Sequence, residues 1–305
     1  MMKYVITAFA LKCFSLTPLS IKLYRALGNK EGSRRRTVRG LPSNYIFRGK
    51  MFLELLEKYG AIHDGSRILE LGTGWVHWDS FFLRLFYDLH SSMYDVWDNR
   101  DFKALHCYIQ NLKEVGKESE ALFEGKAERA YSLLEASLKI SSFEELYKLL
   151  GFEYILNKEG CLTCFGDESF DLVISDNVLE HIEATGLQEY LRDIARVLKP
   201  GGYSCHHIVI SDHLAAYDSR VNKKNYLRYS EKVWKAFFEN KVQYFNRVQS
   251  SEWARLFHEA GLQVLERTTQ WRVDVSNLKI AEQSKGVSRE DLECCGLNLL
   301  HKKPN

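Results

Sequence analysis

A carboxylate directly precedes a glycine turn in the segment Arg67-Ile-Leu-Glu-Leu-Gly-Thr-Gly74. The apolar residues of this segment are typical of a strand that is buried on both faces. Gly72 and Gly74 allow a tight turn and a close approach of the backbone to a ligand. His77 stands where the third glycine of a dinucleotide-binding spacing would be. The pattern predicts that Glu70 and the turn form a cofactor-binding edge, although two glycines at this spacing also fit a plain tight turn.

A second group of residues, in the C-terminal half, could move a proton. An imidazole titrates near working pH, so His213, His206 and His181 are candidate general bases. Asp212 precedes His213 and could orient it. Structural explanations stay open for each histidine, since His206 lies inside a predicted strand and His181 in a predicted packing position.

Strand and helix patterns must position these residues. An apolar and aromatic run over residues 75–87 predicts the crossover helix of a βαβ unit, with its N-terminus facing the ligand. Residues 93–98, 170–176 and 203–210 read as further strands, with a turn at 197–202 before the last of them. Asp98 follows Gly74 by 24 positions, near the spacing of ~20 expected for a carboxylate that binds ribose hydroxyls.

Four motifs in this order give the chain a family resemblance. They are Glu70-Leu-Gly-Thr-Gly74, Ser169-Phe-Asp-Leu-Val173, Val178-Leu-Glu-His-Ile182 and Leu198-Lys-Pro-Gly-Gly202. Through them, residues 45–301 resemble the class I S-adenosylmethionine-dependent methyltransferases. The resemblance implies an α/β fold: a Rossmann-like seven-stranded methyltransferase sheet with helices on both faces. Residues 262–265 and 295–300 would supply the last two strands.

The resemblance also implies a cofactor site for S-adenosyl-L-methionine. Glu70 and the turn would hold the methionine end, Asp98 the ribose and Glu159 the adenine, although the family usually has an Asp at the last position. Trp75 directly follows the turn and would cover the cofactor. Asp176 and Asn177 would contact the cofactor amine or the substrate, or cap the following helix. The expected cofactor-binding residues are Glu70, Gly72, Thr73, Gly74, Trp75, Asp98, Glu159, Asp176 and Asn177.

Three segments lie outside the common pattern. Residues 1–44 form an N-terminal helical and basic segment, with helices over 2–16 and 19–27 separated by Pro18, packing over the cofactor cleft or at a membrane surface. The arginines at 34–36 would bind an anionic group of the substrate or form a solvated turn. The insertion at 100–150 reads as added helices, which would form part of a substrate cap or a solvated structural excursion. The tyrosine-rich insertion at 212–246 is expected to recognise the substrate.

Composition limits the classes of function. With 45% hydrophobic residues the chain can bury a large core, and a net charge of +2 gives no global field that favours nucleic acid. Seven cysteines in no secreted pattern favour a cytoplasmic protein, peripheral to the membrane if the N-terminus binds lipid. Cys161 and Cys164 form half a zinc motif, and we expect no metal there. The set His206, His207, His213 and Asp212 is a minority alternative for a divalent metal.

The expected function is methylation of a small molecule or saccharide, on oxygen more than on nitrogen. Segments such as Leu227-Arg-Tyr-Ser-Glu-Lys-Val-Trp234 and Tyr244-Phe-Asn-Arg247 resemble bacterial methyltransferases that often accompany polysaccharide or secondary-metabolite assembly. We expect no nucleic-acid partner. Two alternatives stay open: an RNA methyltransferase, which should show a basic and aromatic binding face, and a non-catalytic cofactor-binding scaffold protein.

Overall fold

The glycine turn follows an interior strand of the sheet that has a parallel neighbour on each side. The computed structural model describes residues 2–305. In it, β1 (Arg67–Leu71) pairs in parallel with β2 (His90–Asp95) on one side and β4 (Phe170–Asp176) on the other, and β3 (Phe152–Leu156) pairs with β2. The chain leaves β1 toward one side and returns on the other, so the carboxyl end of β1 is a topological switch point, where α/β sheets bind ligands.

Three later strands complete the sheet. They are β5 (Leu198–Val209), β6 (Gln263–Arg272) and β7 (Cys294–Lys302). β7 runs antiparallel to β5. This is shown by hydrogen bonds from Gly201 N to Lys303 O and from Ile210 N to Cys295 O. Within residues 2–305, seven strands form one sheet in the order β3-β2-β1-β4-β5-β7-β6. The predicted α/β class and seven-stranded sheet are confirmed.

Helices fill the connections between the strands. Their bounds are α1 Met2–Phe14, α2 Pro18–Arg39, α3 Ser43–Lys58, α4 Trp78–Arg84, α5 Phe102–Glu118, α6 Ala127–Ser137, α7 Phe143–Leu150, α8 Leu187–Val197, α9 Glu231–Phe237, α10 Ser250–Glu259 and α11 Arg289–Glu293. The insertion at 100–150 is therefore helical, as predicted. The insertion at 212–246 holds α9 and two short 3₁₀ helices, at His213–Tyr217 and Asn225–Arg228. No helix among residues 2–305 has the length and apolar character needed to cross a membrane.

Contacts divide the chain into two compact units. The first unit comprises residues up to 28, 177–191 and 206–299, and the second comprises 29–176, 192–205 and 300–305. The first has an aromatic core that includes Tyr4, Tyr226 and Trp234. The second contains β1 to β4 with the glycine turn. The predicted boundary between residues 44 and 45 stays a prediction.

Several predicted element bounds differ from the structure. The second helix continues to Arg39 and includes the arginine run, where we expected an end at residue 27. The crossover helix α4 begins at Trp78, because His77 adopts a left-handed conformation with φ 47°. Residues 198–202 of the turn predicted at 197–202 belong to β5, because Gly201 N and Gly202 O pair with the backbone of Lys303.

Candidate active site

The glycine turn is held by the neighbouring strand. Gly72 and Gly74 have φ of 65° and 63°, a conformation that glycine adopts at no steric cost. Gly72 N donates to Tyr94 O at 2.8 Å, and Gly74 N donates to the Asp95 carboxylate at 3.0 Å. The turn therefore has a fixed shape at the carboxyl ends of β1 and β2.

Arg48 of α3 bridges two carboxylates beside the turn. Its Nε donates to Asp79 Oδ1 at 2.8 Å and its Nη1 to Asp176 Oδ2 at 2.5 Å. The guanidinium also stacks over the Tyr45 ring, 4.6 Å from the centroid. The predicted residue Asp176 is thus part of a buried ion-pair network, and its contact with the cofactor stays a prediction.

Glu70 lies in the same buried network. Its carboxylate accepts a hydrogen bond from Ser80 N in α4 at 2.8 Å. Burial, and then the negative charge of Asp79, raise the pKa of Glu70 to about 8, against the opposing effect of Ser80 and Arg48. This environment favours the protonated form of Glu70 in the free protein. A cationic group of a ligand placed here would favour its ionised form.

His77 connects the glycine turn to the inserted helix α7. Thr73 Oγ1 and His77 Nδ1 are 2.6 Å apart, and His77 Nε2 and Tyr147 Oη are 2.9 Å apart. Burial lowers the pKa of His77 to about 3, so the imidazole is neutral. The network continues to Arg100, whose guanidinium lies 3.4 Å from Tyr147 Oη. The position of the missing third glycine therefore carries a structural side chain.

Asp95, and not Asp98, ends β2. Asp95 is buried against the turn and also accepts hydrogen bonds from Val96 N and Trp97 N. Asp98 lies three residues beyond the strand and forms a two-pronged ion pair with Arg100, with both contacts at 2.9 Å. The strand bounds that placed Asp98 at the strand end were wrong. Asp95 follows Gly74 by 21 positions, so its spacing was an available signal for the ribose position.

The remaining predicted cofactor residues, Trp75, Glu159 and Asn177, lie in the loops after β1, β3 and β4. Trp75 is partly exposed, and Arg36 of α2 stacks on its ring at 4.3 Å. Glu159 is exposed in the loop after β3, where its backbone N donates to Asn157 Oδ1 at 3.1 Å. Asn177 is exposed with φ 55°, a left-handed conformation that Asn tolerates. Roles of these residues toward the cofactor stay predictions.

In the first unit, His181 lies in a turn that is tied to the segment around residue 245. Its Nδ1 lies 2.6 Å from Tyr244 O and donates to it, which leaves Nε2 as the unprotonated nitrogen. Desolvation lowers the pKa of His181 below its usual range. His181 also lines a cavity of about 670 Å³, together with Lys12, Glu183, Glu239, Lys241 and Tyr244. The size suits a small-molecule site.

The other candidate bases have different surroundings. His213 packs against Phe245, and its Nδ1 has no hydrogen-bond partner among residues 2–305. Burial lowers its pKa to about 3. His206 is buried in β5 and stacks on Phe257 at 5.3 Å, which argues against its predicted role as a base.

Asp212 does not orient His213. Its carboxylate accepts hydrogen bonds from Tyr4 Oη at 2.7 Å and from Leu214 N at 2.9 Å. Burial raises the pKa of Asp212 to about 6. The predicted pair of Asp212 and His213 is wrong, and Asp212 instead connects α1 to the rest of the first unit.

The structure brings together one group of potential metal ligands among residues 2–305: Glu180, His181 and His213. This group differs from the predicted alternative, which combined His206, His207, His213 and Asp212. Cys161 and Cys164 are free thiols. The sequence analysis missed Glu180 although it directly precedes His181, because its proximity to His213 depends on the fold. It missed Arg48 and Asp79 because their contact joins separate helices.

Comparisons with known proteins agree with the architecture. Residues 45–267 match the model of a family described as a methyltransferase domain. No curated protein gives a significant match. A S-adenosylmethionine-dependent methyltransferase structure from Methanosarcina mazei is 14% identical, with 81% of this chain and 96% of that chain covered and a TM-score of 0.44.

Two further solved structures are similar at the same level. The phosphoethanolamine N-methyltransferase 2 of Haemonchus contortus, in complex with S-adenosylmethionine, is 16% identical over 84% of this chain and 53% of that chain, with a TM-score of 0.46. A Haloferax volcanii complex of the Trm112 methyltransferase activator with a methyltransferase is 16% identical. The match covers 85% of this chain and 94% of that chain, with a TM-score of 0.42. These likenesses are too distant to indicate a substrate. The family match covers most of the chain, which therefore belongs to the methyltransferase domain family and is an S-adenosylmethionine-dependent methyltransferase.

Proposed function

We propose that the enzyme methylates a hydroxyl group of a small molecule or saccharide. The observation that carries this proposal is the cavity of about 670 Å³ with His181 on its wall. Its lining is polar and carries both charges, through Lys12, Lys241, Glu183 and Glu239. Such a lining suits an acceptor rich in hydroxyl groups, which forms hydrogen bonds with groups of either sign.

The chemistry requires alignment and the removal of one proton. When bound, S-adenosylmethionine would supply an activated methyl group, which an acceptor oxygen would take while the electron pair of the carbon–sulfur bond returned to sulfur. Alignment can contribute ~7 kcal/mol or more, and removal of the hydroxyl proton by a positioned group ~100-fold to 10,000-fold. We assign the removal of the proton to the site that contains His181. The contact of His181 Nδ1 with Tyr244 O fixes the orientation of this imidazole ring.

A methyl-transfer assay tests the proposal. Labelled S-adenosylmethionine would be supplied with a panel of saccharides and phenols, and with a matched panel of amines. We expect methylation of hydroxyl acceptors, and we expect His181→Asn to reduce kcat by ~100-fold or more with little change in cofactor affinity. Asn keeps a donor for Tyr244 O, so the fold should be retained. Methylation of amines alone, or full activity of His181→Asn, would contradict the proposal.

We also propose that the N-terminal helices bind an anionic membrane surface. One face of α1, formed by Tyr4, Ala8 and Leu11, packs in the core of the first unit. The other face is apolar as well, and its side chains are between 49% and 75% exposed: Met2, Val5, Ile6 and Phe9. Exposed leucines continue this apolar surface in the chain at Leu16, Leu19, Leu23 and Leu27.

Charge favours a lipid surface as the occupant of this face. Residues 2–30 contain Lys3, Lys12, Lys22, Arg25 and Lys30, and no Asp or Glu. An apolar face with basic neighbours is typical of helices that lie in the membrane interface, and each basic residue near an anionic surface contributes about 1 kcal/mol.

Vesicle sedimentation tests the membrane proposal. The wild type should sediment with phosphatidylcholine vesicles that contain phosphatidylglycerol and much less with phosphatidylcholine alone. Phe9→Asp should reduce binding by more than about tenfold, since burial of a Phe side chain contributes about 1.5–3 kcal/mol. Phe237→Asp, which changes an exposed Phe of α9, is the matched control and should bind normally. Equal binding of both variants, or self-association without vesicle binding, would overturn the proposal.

A further inference from the structure

Glu180, His181 and His213 converge in the first unit. One nitrogen or oxygen atom from each side chain lies within 4.8 Å of the others. The two imidazole rings are 5.1 Å apart between centroids, with an interplanar angle of 34°. A tetrahedral ion with ligands at about 2.1 Å holds them about 3.4 Å apart, so shifts of about 1 Å would close the group around an ion.

The surroundings of the group match those of metal ligands. A metal-binding His usually donates its second ring N–H to a carbonyl or carboxylate, and a metal-binding carboxylate is itself hydrogen-bonded. His181 Nδ1 donates to Tyr244 O at 2.6 Å. Glu180 Oε1 accepts from Val209 N at 3.3 Å. The two ligands therefore have fixed orientations through contacts that leave other atoms for an ion.

His213 supplies the third ligand. Its Nδ1 makes no hydrogen bond with any residue that the structure describes. The turn that carries the other two ligands is held rigidly, because Asn246 Nδ2 donates to Leu179 O at 2.9 Å and to Ile182 O at 3.1 Å. A nitrogen without a partner beside a fixed pair of ligands is what a metal site would require.

From this geometry we propose that Glu180, His181 and His213 bind a divalent first-row transition metal ion of the zinc class. Two imidazoles and one carboxylate form a ligand set that such ions prefer, whereas magnesium prefers oxygen ligands alone. Three protein ligands leave a fourth position open, as in catalytic zinc sites. The ion would bind an acceptor oxygen there and lower the pKa of its hydroxyl. This catalytic consequence rests on the proposed O-methylation, but metal binding does not.

Metal binding can be measured without activity. The chelator-treated protein would be titrated with Zn²⁺, Co²⁺, Mn²⁺ or Mg²⁺ alone, by calorimetry and, for Co²⁺, by visible absorption. We expect one Zn²⁺ or Co²⁺ per chain and no Mg²⁺. Glu180→Gln, His181→Asn and His213→Gln should each weaken affinity by more than about 100-fold, since loss of a supporting residue alone costs 10- to 100-fold. His258→Ala, at an exposed His of α10, should bind normally.

The outcomes separate the metal site from the proposed function. No binding of Zn²⁺ or Co²⁺ by the folded wild type, or equal binding by the three ligand variants, would overturn the metal site. Chelator-resistant methylation of hydroxyl acceptors would then keep the proposed function and make the imidazoles direct proton acceptors. Stoichiometric metal binding that the variants abolish would support the site even if no hydroxyl acceptor is methylated.

Discussion

At the scale of single residues, Glu70 combines a buried position with an unusual protonation state. Asp79 faces its carboxyl, and Arg48 lies close enough to oppose the effect of Asp79. Because burial dominates, the pKa of Glu70 is raised to about 8, well above the ordinary value of ~4.3 for Glu. The free protein therefore favours the protonated acid beside the turn that we expect to hold a cationic cofactor.

This protonation state predicts that cofactor affinity depends on pH. If the ammonium group of S-adenosylmethionine contacts Glu70, the bound complex favours the ionised acid, so binding releases a proton below pH 8. Affinity should then rise with pH, by at most tenfold per unit, and level off above about pH 8. Calorimetry in buffers of different ionisation enthalpy would measure the released proton.

Glu70→Gln is the control for this linkage. It keeps an acceptor for Ser80 N but cannot ionise, so its affinity should not change with pH in that range. A wild-type affinity that is independent of pH would mean that Glu70 does not sense the charge of the cofactor.

Arg48 gives a second prediction at this scale, for stability. Replacement by Met keeps much of the volume but removes the guanidinium that pairs with the buried carboxylates of Asp79 and Asp176. Removal of one partner of a buried ion pair typically costs ~3–5 kcal/mol of unfolding free energy. Denaturant unfolding would measure the loss for Arg48→Met.

Arg35 supplies the matched comparison. Its pair with Glu31 on α2 is exposed, with 61% and 43% of the two side chains accessible. Exposed helical pairs contribute about 0.3–0.5 kcal/mol, so Arg35→Met should change stability little. Similar losses in the two variants would show that the network around Arg48 is not a buried ion-pair site.

At the scale of elements, α7 supports the glycine turn through His77, which packs against Phe143 and contacts the hydroxyl group of Tyr147. Tyr147→Phe removes the contact with His77 Nε2 and should lower the unfolding free energy by about 1 kcal/mol. Because His77 also contacts Thr73 in the turn, cofactor affinity should fall by up to about fivefold. Calorimetric titration with S-adenosylmethionine and denaturant unfolding would measure both effects.

Tyr131→Phe, on the neighbouring inserted helix α6, is the control and should leave cofactor affinity unchanged. Unchanged affinity in Tyr147→Phe as well would show that the insertion has no influence on the turn.

The elements also show what could be read from the sequence. The bounds of β4 were predicted without error, because an apolar run between polar residues marks a buried strand at both ends. The end of β2 was misplaced, since the aromatic residues at 94 and 97 continued the apparent strand pattern beyond Asp95. Contacts such as that of Arg48 with Asp176 could not be predicted from the sequence, because they depend on how α3 packs and no local residue pattern indicates this packing.

At the scale of the whole molecule, α1 is fixed by a long-range hydrogen bond. Tyr4 donates to Asp212, more than 200 positions later in the sequence, and Lys12 donates to the carbonyl groups of Lys235 and Ala236. One face of the N-terminal helix is therefore part of the first unit's core. Its predicted place at a membrane surface stays a proposal.

Tyr4→Phe tests this attachment. The variant leaves the buried Asp212 without one donor, which should cost about 1–3 kcal/mol of unfolding free energy. Tyr24→Phe is a matched control, since Tyr24 Oη accepts from Gln243 in a half-buried position and its loss should cost less. Thermal and denaturant unfolding would measure the stability of both variants. Equal stability of Tyr4→Phe and the wild type would contradict the role of Tyr4 in holding α1.

The partly exposed Trp75 has an optical consequence. Its indole directly follows the glycine turn and is stacked by a single guanidinium, so its emission should respond when a ligand displaces Arg36 or covers the ring. Trp78, Trp234 and Trp253 are buried and should report little of such an event. Intrinsic fluorescence can thus follow cofactor binding without a label, and the part of the signal that Trp75→Phe removes identifies light emitted from the turn itself.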